Sequence, residues 1–71
     1  MKKLHSHIRS TIKRLLRQRG ISAEKLAYEV GISKGFIYGY LKGDEKHSNI
    51  SVNTLALIAD GLEVEVKDLL P

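Results

Sequence analysis

Two segments of similar length, each opened by a serine and closed by a glycine, constrain the fold more than any other feature. The first runs from Ser22 to Gly31 and the second from Ser33 to Gly43. A serine hydroxyl can accept a hydrogen bond from a free amide of the first helical turn, so serine favours the position before a helix. Glycine readily adopts the left-handed conformation in which many helices end. The pattern therefore predicts two short helices joined by a tight turn.

Apolar residues recur at helical spacing within each of these segments. They are Leu26, Ala27 and Val30 in the first and Ile37, Tyr40 and Leu41 in the second. A helix, a glycine turn and a second helix form the helix-turn-helix arrangement, whose second helix usually enters the DNA major groove. We therefore expect a helix-turn-helix core at residues 22–43, with residues 33–42 as the recognition helix.

Three further helices are predicted outside this core. One covers about Ser6 to Arg19, one opens at Ser51 and ends at Asp60-Gly61, and a short last helix or turn covers the bottom of the core. Their core residues would be Ile8, Ile12, Leu15 and Leu16, then Leu55, Ile58, Ala59 and Leu62, then Val64, Val66, Leu69 and Leu70. The alternation at residues 62–66 also fits a strand, but a lone five-residue strand would have no partner. The expected architecture is all-α, with five helices in a compact fold.

Composition narrows the class of protein further. With 71 residues the chain is expected to form one domain, residues 1–71. This length is near the lower limit at which a hydrophobic core is stable without disulfides or metals. It has no cysteine, which leaves no disulfide framework and fits the reducing cytoplasm. No run of about 18 apolar residues occurs, so we expect no membrane-spanning segment.

Charge is distributed unevenly along the chain. Residues 1–19 contain seven lysines and arginines and no acid, whereas residues 20–71 contain five lysines and eight acidic residues. A basic first segment on a slightly acidic body indicates a polyanionic partner that is approached from one side. A helix face that is simply exposed to water would have the same composition, but the neighbouring helix-turn-helix favours the interpretation that this segment binds a polyanion.

The chain resembles the phage repressor/Cro (XRE-type) helix-turn-helix family, whose fold is described as lambda-repressor-like. The resemblance covers about Ile8 to Leu70 and is carried by residues 19–27 and 30–33, together with Ile37, Gly43, Ile50, Ser51, Leu55, Ile58, Ala59, Leu62, Val64, Leu69 and Leu70. It implies a five-helix fold that binds operator DNA, usually as a two-fold dimer on an inverted repeat. We expect the apolar C-terminal segment around Val64, Val66, Leu69 and Leu70 to form the dimer interface.

Two positions depart from the family pattern. The family usually has a phosphate-contacting glutamine at the first turn of the second helix, where this chain has Ala23. It also often pairs an arginine of the first helix with a glutamate late in the recognition helix, at the positions of Leu16 and Leu41. Both partners are replaced together, so no unpaired charge is expected in the core, and packed aliphatic residues often serve as well as a buried ion pair.

Base edges are reached from the N-terminus of a recognition helix and from its outward face. These positions are Ser33, Lys34, Gly35, Phe36, Tyr38 and Gly39, with Lys42 closer to the DNA backbone. Lys34 could donate to guanine O6 or N7. Phe36 could contact a thymine methyl group or be a partly buried core residue.

Gly35 and Gly39 would let the helix backbone approach the groove closely. The face carries few bidentate hydrogen-bonding groups, so phosphate contacts and DNA shape should contribute a large share of recognition.

Phosphate contacts are expected from the positive N-termini of the two helices that follow Ser22 and Ser51. Further candidates lie in the flanking segments, and Ala23 occupies the family's phosphate-contacting position. The flanking candidates are Lys13, Lys46, His47, Asn49 and Asn53. The acidic Asp44 and Glu45 should point away from the duplex, and the loop that holds them could instead be a solvated connector.

An enzyme is not expected from this sequence. The histidines are His5, His7 and His47, and the first two, at i and i+2, do not share a helical face. No nucleophile–base pair or phosphate-cradling loop is visible. We expect no cofactor, metal or small-molecule ligand.

The leading hypothesis is therefore a sequence-specific transcriptional regulator that binds double-stranded DNA as a homodimer. The rival is a protein-interaction module, such as an antitoxin or anti-repressor, that retains the fold. Ala23, Gly35, Gly39 and the acidic pair at residues 44–45 favour the rival, whereas the basic first helix and Lys34 favour DNA. A minor third hypothesis is a nonspecific nucleoid-type binder.

Overall fold

A computed structural model describes residues 2–44 and 49–71, in which every regular element is helical. Helix α1 spans Lys2–Arg19, α2 spans Ala23–Val30, α3 spans Lys34–Lys42 and α4 spans Val52–Gly61. A single 3-10 helix at Val66–Leu69 follows. The prediction of an all-helical fold is confirmed, but five α-helices are not: the described residues form four α-helices, and the short last element is a 3-10 helix of four residues. Helix α1 also begins at Lys2, ahead of the predicted Ser6.

Serine caps determine where three of the helices begin. The hydroxyls of Ser22, Ser33 and Ser51 accept hydrogen bonds from the amides of Lys25, Phe36 and Thr54 at 3.0, 3.0 and 3.1 Å. Each bond satisfies one of the amides that the first helical turn leaves without a partner. The predicted starts of α2, α3 and α4 are confirmed.

Two glycines end the helices of the helix-turn-helix core. Gly31 and Gly43 have φ angles of 76° and 81°, in the left-handed region that a Cβ atom disfavours. The amide of Gly31 donates to the carbonyl of Ala27, and the amide of Ile32 donates to the same carbonyl at 2.9 Å. These bonds end α2 and form the turn that leads into α3, as the sequence predicted.

Gly61 has a different role, because α4 and α2 touch at this position. A Cβ atom at Gly61 would lie 2.5 Å from Cγ1 of Val30 and 2.7 Å from Cδ1 of Leu26. The residue in the left-handed conformation after α4 is not Gly61 but Glu63, whose φ angle is 59°. That conformation is incompatible with a strand, and the chain turns over residues 62–64 before Val66 begins the 3-10 helix.

One hydrophobic core joins all five elements. Helix α2 packs on α3 and α4, while α1 packs on α3 and on the 3-10 helix. Leu16 and Leu41 are both core residues with 7% of their surface exposed, as expected for positions that carry no charge. Leu69 is completely buried, and Val64 and Val66 pack partly against the core. No helix among the described residues is long and apolar enough to cross a bilayer.

Candidate nucleic-acid interface

Helix α3 is held by its inward face and leaves the opposite face open. Ile37 and Tyr40 have no exposed surface, and Leu41 is 7% exposed. On the other side Lys34, Gly35, Tyr38 and Lys42 are exposed, and Tyr38 keeps 41% of its surface accessible. Most of the predicted base-contacting residues therefore share one accessible face of α3.

The two glycines of α3 are not equivalent. Gly35 is exposed, and a Cβ atom there would meet nothing within 4 Å. Gly39 is buried, which corrects its expected place on the outward face. Its carbonyl accepts hydrogen bonds from the amides of Gly43 and Asp44, where the chain leaves α3. A ligand can therefore approach the α3 backbone closely at Gly35 but not at Gly39.

Phe36 belongs largely to the core side of α3. Its ring stacks on that of Tyr40, with the centroids 5.9 Å apart and the planes 11° from parallel. It is partly buried and packs against the core cluster. Of the two roles that the sequence left open for Phe36, the structure favours the partly buried core residue.

An ion pair joins the beginnings of α2 and α3. Nζ of Lys34 lies 3.5 Å from Oε1 of Glu24, with 66% and 53% of the two side chains exposed. Lys34 is the first residue of α3, and Glu24 is the second residue of α2. The side chain predicted to read guanine is therefore accompanied by a carboxylate from the preceding helix.

The predicted phosphate contacts lie in several places on the surface. The side-chain oxygens of Ser22 and Ser51 are occupied as helix caps, and Ala23 is half-buried against the core. Lys13, Asn49 and Asn53 are exposed. Lys46 and His47 lie outside the described residues.

Three basic side chains of α1 remain accessible for a polyanion. Lys13, Arg14 and Arg17 are exposed, and within residues 2–44 and 49–71 no carboxylate forms a salt bridge with them. Arg19 differs, because its Nη1 lies 3.0 Å from Oε2 of Glu63. The basic character of α1 is thus only partly neutralised by the fold.

Tyr40 is the centre of an α1–α3 contact that was not anticipated. Nε of Arg9 donates a 2.6 Å hydrogen bond to the carbonyl of Tyr40, and the guanidinium lies 4.8 Å from the centre of the ring. Nδ1 of His5 and the Tyr40 hydroxyl share a hydrogen bond of 3.0 Å. Burial raises the pKa of this hydroxyl, and the charge of Arg9 acts in the opposite direction.

A weak signal for this contact existed in the sequence. Arg9 lies one residue after Ile8 and three before Ile12, so it borders the apolar stripe of α1 and not its solvent face. Periodicity alone could not identify Tyr40 as its partner, because 31 residues separate them. Arg9 of α1 therefore contacts both the backbone and the ring of a buried residue of α3.

Comparison with known families agrees with this geometry. The Cro/C1-type HTH DNA-binding domain family matches residues 11–71, which include α2, α3, α4 and most of the core. No curated protein and no solved structure matched the chain. His5 and Arg9 precede the matched region, although both contact α3. With 61 of its 71 residues matched, the chain belongs to the Cro/C1-type helix-turn-helix DNA-binding family.

Proposed function

We propose that residues 1–71 act as one sequence-specific DNA-binding domain of a transcriptional regulator, with α3 in the major groove. The observation that carries this proposal is the division of α3 into two faces. Ile37 and Tyr40 are fully buried, while Lys34, Tyr38 and Lys42 are exposed on a short helix capped by its own serine. A helix held in this way can enter a groove without disturbing the core that supports it.

Electrostatic attraction supplies the sequence-independent part of binding. The exposed cations of α1, at Lys13, Arg14 and Arg17, can neutralise phosphates and release the counterions that surround DNA. The capped N-termini of α2 and α4 add oriented amides and partial positive charge. Because Gly35 contributes no side chain and Phe36 is partly buried, direct base readout falls mainly to Lys34 and Tyr38.

We propose that two copies bind an inverted repeat, since one domain with one recognition helix covers only one half-site. Leu69 cannot join the expected dimer interface because it is completely buried in its own core. Leu70, which is 39% exposed, stays a candidate for the contact between copies. Val52 and Leu57 of α4, at 76% and 45% exposed, are further candidates in place of Leu69.

Selection of bound duplexes from a random pool tests the DNA proposal. We expect an inverted-repeat consensus, with half-sites about 34 Å apart along the helix axis. Affinity for that consensus, measured between about 50 and 200 mM salt, should fall linearly on a log–log plot by roughly 0.9 per phosphate contact. Failure to enrich any sequence, together with a steep salt slope, would indicate nonspecific binding. An affinity that does not change with salt concentration would contradict DNA binding.

A protein-interaction module is the second candidate function. Tyr28 on α2 and Val52 on α4 are 87% and 76% exposed. An antitoxin or anti-repressor would use such side chains to bind a partner protein. The same selection separates the candidates, because a module of this kind would enrich no duplex and would show no salt-dependent binding.

A further inference from the structure

Helix stability does not explain why Lys34 opens α3 beside Glu24. The N-terminus of a helix carries partial positive charge, so a lysine there is electrostatically unfavourable. The first turn of α3 contains no acidic residue to offset it. An ion pair with 66% and 53% of its side chains exposed contributes little to stability because water screens it. The pair is, however, well placed to act on a ligand at the start of α3.

We infer that Glu24 and Lys34 together read one G·C base pair, an inference that rests on the proposed entry of α3 into the major groove. The ammonium of Lys34 donates to O6 or N7 of guanine, and the carboxylate of Glu24 accepts from the N4 amino group of the paired cytosine. Glu24, on the helix that precedes the recognition helix, is then a specificity-determining residue.

The spacing of the two side chains matches the spacing of the two base atoms. Guanine O6 and cytosine N4 are joined by a Watson–Crick hydrogen bond and lie about 2.9 Å apart, both at the major-groove edge. Nζ of Lys34 and Oε1 of Glu24 are 3.5 Å apart. A donor beside an acceptor on the protein therefore faces an acceptor beside a donor on the base pair.

Other base pairs fit this arrangement less well. A T·A pair also offers an acceptor, thymine O4, beside a donor, adenine N6. It places adenine N7, a second acceptor, next to the carboxylate of Glu24, and it places the thymine methyl group next to the ammonium of Lys34. A G·C pair instead gives the ammonium two adjacent acceptors. The pair should therefore prefer G·C to T·A and to the reversed C·G.

The test compares Glu24→Ala and Lys34→Ala with a matched control, Glu29→Ala. Glu29 is an exposed carboxylate on the same helix, so its removal changes the net charge equally without touching Lys34. The consensus duplex is first selected with the unaltered protein. Affinities of each variant are then measured for duplexes changed at one base pair at a time, and thermal unfolding checks that each variant is folded.

We expect both Glu24→Ala and Lys34→Ala to reduce the preference for G·C at the same position by roughly 5- to 150-fold. Glu29→Ala should leave that preference unchanged. If Glu24→Ala instead raises affinity for every duplex by the same factor, the carboxylate only repels phosphates and the inference is wrong. Loss of preference at two different positions would also overturn it. If the unaltered protein selects no sequence, the proposed function fails, and the reading of a G·C pair fails with it.

Discussion

The side chain of Arg9 binds both the backbone and the ring of Tyr40. Its Nε donates to the Tyr40 carbonyl at 2.6 Å, and its guanidinium lies 4.8 Å from the ring centre. That carbonyl is one of the last four of α3, which receive no hydrogen bond from an amide within the helix, and it also accepts the amide of Gly43 at 3.1 Å. The C-terminal end of a helix attracts a cation. One side chain from α1 thus fixes the end of α3 opposite to the end that Ser33 caps.

Replacement of Arg9 tests how much this contact stabilises the fold. Arg9→Ala should lower the free energy of unfolding by about 1.5–3 kcal/mol, because it removes a charged donor from a partly buried carbonyl. Arg9→Lys should recover only part of the loss, since lysine lacks the planar guanidinium. Denaturant unfolding measures both. Arg14→Ala, at an exposed site on the same helix, should stay within about 0.5 kcal/mol of the unaltered protein; equal losses for Arg9 and Arg14 would contradict the contact.

Tyr40 should make stability depend on alkaline pH. Its pKa is raised above the ordinary 10.0, chiefly because burial disfavours the phenolate. A group with a higher pKa in the folded than in the unfolded state contributes its full stability below pH 10.0, and that contribution is lost as pH rises through the folded pKa. The free energy of unfolding should therefore fall above pH 10.0 more steeply in the unaltered protein than in Tyr40→Phe. Identical slopes for the two proteins would refute the effect.

Two glycine substitutions should act in opposite directions. Gly61→Ala places a methyl group 2.5 Å from Val30 and 2.7 Å from Leu26, so we expect a loss of about 1–3 kcal/mol from overpacking. Gly35→Ala meets open space within α3 and should stabilise the domain by about 0.5–1 kcal/mol through helix propensity. Thermal unfolding of the two variants measures the contrast. A stabilising Gly61→Ala would show that α2 and α4 are farther apart than described.

Leu16 and Leu41 occupy the positions at which the family often has an ion pair, so substitutions at these two positions test how the core is packed. Both are only 7% exposed, so Leu16→Arg or Leu41→Glu alone should bury an unpaired charge at a cost of roughly 3–5 kcal/mol. The double variant should regain much of that loss because each charge then has a partner. A double-mutant cycle measured by denaturant unfolding yields the coupling. Losses that simply add would show that the two side chains do not touch.

The starts and stops of the helix-turn-helix core could be predicted from the sequence because they depend on local contacts. Ser22 and Ser33 bond to amides three residues later, and Gly31 and Gly43 need only their own backbone angles. The apolar stripes likewise identified Ile37, Tyr40 and Leu41 as the inward face of α3. Helical periodicity and end chemistry act over one or two turns, so a sequence displays them directly.

Tertiary structure alone decided the features that depend on distant segments. Arg9 meets Tyr40 across 31 residues, and Gly61 of α4 meets Val30 of α2. Gly39 shares helical spacing with Gly35, yet only Gly35 is exposed. The last element is a 3-10 helix whose Leu69 fills the core, so a residue predicted for the dimer interface is already buried. Periodicity tells which side of a helix faces inward, but the neighbour that covers it is determined by how the helices pack.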